Sequence, residues 1–156
     1  MKQWNKELLR ASFAIARSAR EHGNHPFGAL LADKDGNVLM TAENTVVTEH
    51  DCTGHAETNL VRAACKKFDG EFLKTCTLYA STEPCPMCTG AIFWANIRRI
   101  VFGLGEERLY KLTGHNSEDV LYLPCKEVLS HGKKDMEVIG PVLENEAFEV
   151  HKDFWN

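Results

Sequence analysis

Two short segments constrain this chain more than anything else in it: Thr53-Gly54-His55-Ala56-Glu57 and Glu83-Pro84-Cys85-Pro86-Met87-Cys88. Each sits where a polar loop gives way to a helical pattern, and a β-rich run lies between them. Cys85 and Cys88, three apart on the first turn of a helix, project from one face, and the positive end of the helix dipole favours their thiolates. With His55 they make a set of three metal ligands. Three protein ligands leave the fourth tetrahedral position for water, which marks a catalytic zinc site; a structural site is closed by four. Zinc lowers the pKa of such a water to about 7, and Glu57, two residues beyond the histidine, can carry its proton.

The motifs taken singly have other readings. A C-x-x-C pair also serves redox chemistry or forms half of a closed structural zinc site, and an isolated H-x-E is usually a surface pair. No further thioredoxin-like cue accompanies the cysteines. A purely structural site has no use for an unliganded carboxylate beside its metal, so Glu57 separates the catalytic reading from the structural module.

Around these segments the apolar periodicity predicts a helix from Trp4 to about His22, carried by Leu8, Ala11, Ile15 and Ala19 and ended by Gly23. Two antiparallel strands follow, residues 26–33 and 38–43, turning at Asp35-Gly36. The polar stretch 44–54 reads as a loop. A second helix opens at His55 and stops at Asp69-Gly70. Residues 76–81 have strand composition, 87–95 helical propensity and 99–103 strand composition again, a strand–helix–strand unit whose strands should be parallel. Beyond Gly105 the pattern weakens: a helical turn at 106–112, an ambiguous 116–123, a last strand at 137–140 and a closing helix from Val142 to Trp155. This order predicts one domain over residues 1–156, a three-layer α/β/α sandwich around a central mixed five-stranded sheet.

With 156 residues, 44% of them hydrophobic, the chain can bury a sizeable core without staples, so its six cysteines read as metal ligands or buried thiols, not disulfides. Cys52, Cys65, Cys76 and Cys125 are expected to be the buried thiols. No apolar run approaches the roughly 18 residues of a membrane span, and a soluble, cytoplasmic protein is expected. Net charge is −4, with acids and bases interleaved, which disfavours nucleic acid as a partner because phosphate binding relies on Lys and Arg clusters.

Together the H-x-E and P-C-x-x-C segments resemble the cytidine and deoxycytidylate deaminase superfamily. The resemblance runs from about Pro26 to Gly103. It implies a cytidine deaminase-like fold and one zinc ion per chain held by His55, Cys85 and Cys88. It also implies water attack on the amine-bearing carbon of a base, Glu57 shuttling protons, and ammonia leaving. Homodimers are expected from the same resemblance.

The phrases PFGA at 26–29, HAE at 55–57 and EPCPMCTGAIFWA at 83–95 look most like bacterial guanine deaminases, which makes guanine the first expectation for the substrate. By that resemblance Phe27 stacks on the ring, Asn44 hydrogen-bonds a polar edge, backbone N–H groups near Ala56 and Cys85 hold oxygens, and Trp94 is a pocket aromatic. Each has a bland reading too: Phe27 and Trp94 as core aromatics, Asn44 as a turn residue. After Gly105 the chain departs from the guanine deaminase pattern: no acidic pair that would read the 2-amino edge of guanine stands out, and Glu106, Glu107, Asp119 and Glu144 are unranked candidates. Cytosine or nucleoside deamination is an alternative. So is transfer-RNA adenosine deamination, but that activity calls for a basic terminal helix, and residues 142–156 hold more acids than bases.

Overall fold

A computed structural model describes residues 3–155. Its elements are α1 (Lys6–Glu21), β1 (Gly28–Ala32), β2 (Val38–Glu43), α2 (Ala56–Lys67), α3 (Gly70–Leu73), β3 (Thr77–Thr82), α4 (Pro86–Trp94), β4 (Arg99–Leu104), α5 (Glu106–Thr113), α6 (Cys125–Ser130), β5 (Glu137–Ile139) and α7 (Glu144–Glu149). The five strands lie in the order β2-β1-β3-β4-β5. β1 runs antiparallel to β2 and β3, whereas β3, β4 and β5 are parallel. The expected mixed sheet is therefore present, with the strand–helix–strand unit in its parallel half.

Period-2 alternation decides which side chain goes to which layer. Ala29, Leu31, Leu78, Ala80, Ile100 and Phe102 face a core closed by α2, α4 and α6. Their neighbours Leu30, Ala32, Tyr79 and Val101 face α1, α5 and α7, joined by Leu104, which departs from the alternation at the end of β4. Every residue of β1 and β3 is consequently buried, as strands covered on both faces must be. Gly28 permits the close approach of α1: a Cβ there would lie 2.6 Å from the Ala16 nitrogen and 2.7 Å from the Ser12 oxygen.

The tail departs from expectation. The closing helix does not run from Val142 to Trp155. It starts after Leu143, which has φ +51°, and lasts six residues. Arg20 Nη1 then donates to the carbonyl oxygens of Val150 and Lys152 at 3.0 and 2.6 Å, satisfying acceptors at the frayed helix end. Asp153, with φ +60°, turns the chain so that Phe154 and Trp155 pack on His25. Short α3 and α6 were not expected. Cys76 and Cys125 are buried thiols as predicted, but Cys52 and Cys65 are exposed, on the 44–54 loop and the outer face of α2.

Candidate active site

The two motif segments enter helices at the same end of the sheet. His55 is the N-cap of α2 and Cys85 the N-cap of α4, both with extended backbone. N-cap side chains commonly accept a hydrogen bond from the helix they start. Neither of these does, so both remain available for another partner. Pro86 occupies the first turn of α4, where its missing N–H costs nothing, and Cys88 follows on the same turn.

Nδ1 of His55 lies 3.5 Å from each of the Cys85 and Cys88 sulfurs. A tetrahedral zinc with sulfur at about 2.3 Å and imidazole nitrogen at about 2.0–2.1 Å sets that separation at about 3.5 Å. All three donor atoms fall within 4.8 Å of one another. The soft, N/S donor set and its spacing thus fit one zinc ion. Thr58 Oγ1 donates to the Cys88 sulfur at 3.2 Å, an outer contact that orients it.

The three donors are electrostatically coupled. Hydrogen bonds from Cys88 and His55 bring the Cys85 thiol down to about 4, while the buried Cys88, next to that thiolate, is pushed up and keeps the pair's remaining proton. His55 is raised by its contact with Cys85. Glu57, on the first turn of α2 and 7% exposed, is pushed up to about 7 by burial and then by the Cys85 thiolate.

The loop before α2 is braced from behind. Asn59 Nδ2 donates to the Glu43 carbonyl at 3.0 Å and to Thr45 Oγ1 at 3.0 Å. Gly54 leaves no room for a side chain, since its Cβ would stand 2.8 Å from Thr45 Oγ1. On the other side Glu83 ties together the starts of α5 and α6: Oε1 accepts from the Glu106 N–H at 3.0 Å and Oε2 from the Cys125 N–H at 2.9 Å.

His55, Cys85 and Glu57 open into a cavity of about 500 Å³. Two of the expected ring-binding residues line it. Phe27 supplies an aromatic wall, with its ring 5.4 Å from His151 and 6.1 Å from Trp155. Asn44 is 2% exposed, and its Oδ1 accepts from the Val46 N–H at 3.1 Å, which leaves its NH2 as the donor available to the cavity. Ala56 is fully buried at the first position of α2.

Trp94 is not brought to the cavity. It is 79% exposed, packs edge-on against Phe93 and has the Lys134 ammonium over its ring. At about 1.5 Å of rise per residue, the length of α4 carries Trp94 about 13 Å along the axis from Cys85.

Of the four acidic candidates, Glu106 and Asp119 line the cavity. Glu144 is used elsewhere, accepting from the Gly105 N–H at 2.9 Å, and Glu107 pairs with Lys111 on the outside of α5. Sequence reasoning missed Trp155, His25 and Thr82, which also line the cavity. A larger cleft of about 1380 Å³ lies at the opposite strand ends, lined by residues such as Ala32, Thr77, Arg99 and Glu137, and holds none of the motif residues.

Residues 2–104 match the model of the cytidine and deoxycytidylate deaminase zinc-binding region. The chain is 45% identical over 149 residues to a probable cytosine deaminase of Schizosaccharomyces pombe, covering 95% of this chain and 90% of that protein. It is 46% identical over 77 residues to a guanine deaminase of Bacillus subtilis, about half of each chain (49% and 49%). A tRNA-specific adenosine deaminase of the same species is 34% identical over 139 residues, 89% of this chain and 81% of that one. A solved guanine deaminase from Nitrosomonas europaea superposes with a TM-score of 0.76 at 21% identity, covering 96% of this chain and 84% of that one, a likeness of fold. A family match over most of the chain coincides with a His/Cys/Cys group spaced for one zinc ion, so the chain belongs to the cytidine and deoxycytidylate deaminase family and is a hydrolase of carbon–nitrogen bonds.

Proposed function

We propose that this chain removes the exocyclic amine of a free, unglycosylated nucleobase, with cytosine and guanine as the two bases to test first. The observation that carries the reading is the cavity itself. Its volume of about 500 Å³ suits a single small ligand, and the ligand set and Glu57 share it with the aromatic wall of Phe27 and Trp155.

In this reading His55, Cys85 and Cys88 hold zinc, which supplies a water nucleophile at neutral pH. Glu57 would take one proton from the attacking water and pass it to the ring nitrogen, then take the second from the resulting hydroxyl as the new carbonyl forms and pass it to the amine, which leaves as ammonia. Phe27 stacks on the ring. The Asn44 NH2 donates to a carbonyl or ring nitrogen, and the N–H groups of Ala56 and Cys85 at the two helix starts favour negative charge that builds on oxygen.

Guanine is supported by 46% identity to a guanine deaminase over 77 residues. Cytosine is supported by a different observation: likeness to the probable cytosine deaminase extends over 95% of the chain, and so beyond the motifs into the segment that supplies Glu106 and Tyr110 to the cavity. A tRNA substrate fits less well, because net charge is −4 and the C-terminal segment forms a wall of the cavity.

The test is kcat/KM by ammonia release for cytosine and guanine, each against its nucleoside, and for an adenosine-bearing RNA stem-loop. Turnover of a free base at least about 100-fold above its nucleoside supports the reading. Turnover of the RNA alone overturns it.

A further inference from the structure

Among the described residues, three buried side-chain oxygens have no hydrogen-bond partner: Thr82 Oγ1, Glu106 Oε1 and Glu106 Oε2. Both residues line the same cavity. Folded proteins satisfy nearly all buried polar groups, so such a cluster calls for a specific cause. The fold puts the two at adjoining strand tips. Thr82 pairs in register with Leu104, the last residue of β4, and Glu106 opens α5 two residues later. Glu83 on one side of them is fully engaged by two backbone N–H donors. Glu106, 1% exposed, has the Leu123 backbone N–H near its carboxyl, yet neither oxygen completes a hydrogen bond.

Resting on the deaminase reading above, we propose that Glu106, with Thr82, is the specificity-determining residue of the cavity and pairs with a lactam edge of the base, a ring N–H next to a ring C=O. One carboxyl oxygen accepts the ring N–H and the other donates its proton to the ring carbonyl, a planar two-point match in which nothing is left unpaired. Burial, then the neighbouring Glu83, hold Glu106 up to about 9, which keeps the donor proton in place at neutral pH. Cytosine presents such an edge at N1–H and C2=O, guanine at N1–H and C6=O. Adenine has none. The same pairing removes the desolvation cost of the two orphaned Glu106 oxygens, and a base without the edge would leave them buried and unpaired.

The experiment compares cytosine and guanine with their N1-methyl derivatives in the wild-type protein, E106M and E106Q, each checked for zinc content. For whichever base is turned over, the wild-type protein should prefer the parent to its N1-methyl form by about 100-fold. In E106M the parent should lose about 100-fold in kcat/KM, mostly through KM, and the preference should fall below about tenfold. E106Q keeps one donor and one acceptor and should lie between the two, nearer the wild type.

Binding of uracil and xanthine, followed by calorimetry, reads the same edge without turnover and should weaken in E106M by a like factor. Equal treatment of parent and N1-methyl bases by the wild-type protein overturns the inference even if no variant folds. So does an E106M that keeps wild-type kcat/KM, or one that loses it equally for both forms. A wild-type protein silent on both bases that still binds uracil or xanthine through Glu106 overturns the substrate reading and leaves this one standing.

Discussion

The indole N–H of Trp155 donates to Nδ1 of His151 at 2.9 Å, with the two rings only 16° from parallel. That bond requires a neutral imidazole. His151 is 2% exposed, and burial, then the Arg20 guanidinium, hold it down to about 4. The unfolded chain takes up this proton near pH 6.5, the folded chain only near 4. Between those values the unfolded state binds more protons, so stability is full above about pH 6.5 and is lost as pH falls toward 4. The expected result is a Tm that declines across that window, followed by tryptophan fluorescence. His151→Gln keeps an acceptor but cannot become charged, and its Tm should fall less steeply. Equal slopes in both proteins would show that the imidazole does not contribute.

Trp155→Ala removes one aromatic wall without touching the ligand set. KM for the free base should rise about tenfold with kcat within a few-fold, since stacking of an aromatic pair is worth about 0.5–1.5 kcal/mol beyond the area it buries. Steady-state kinetics decides this. A loss confined to kcat would instead place Trp155 among the groups that act on the reacting atoms.

How much of this was legible beforehand follows from the range of the forces involved. The β1–β2 hairpin, the two helix starts at His55 and Cys85 and the parallel strands around α4 are written in local periodicity and capping, and they stand where expected. The ligand set could be read because its spacing is local within each motif. The tail could not. α6 spans six residues, too few for a helical period to show, and α7 is cut short by Leu143 and by the aromatic packing of Phe154 and Trp155 on residues more than a hundred positions away. Trp94 illustrates the opposite error: adjacency to the motif in sequence does not survive more than two turns of helix. Glu106 stood among the acidic candidates, but only burial without a partner singles it out.

Gly28→Ala tests the packing of α1 that brings Arg20 to the tail. The added methyl meets backbone atoms of Ala16 and Ser12, which cannot swing aside. A loss of about 1–3 kcal/mol is expected from urea unfolding, with the denaturant slope unchanged. A neutral substitution would mean that α1 can shift outward freely.

Cys88→Ala separates metal binding from folding. The ligand set falls to two, so zinc measured after dialysis against a weak chelator should drop below about a tenth of an equivalent per chain, and ammonia release should go with it. Stoichiometric zinc in this variant would show that the ligands lie elsewhere.

The central claim is that a zinc site and a proton-carrying Glu57 together release ammonia from a free base. It is tested most directly by measuring ammonia from cytosine and guanine with wild-type protein and Glu57→Gln, both carrying one zinc per chain. The account predicts turnover of at least one base by the wild type, and a loss of about 10³-fold in kcat with zinc retained in the variant. Turnover in Glu57→Gln equal to that of the wild type would contradict it.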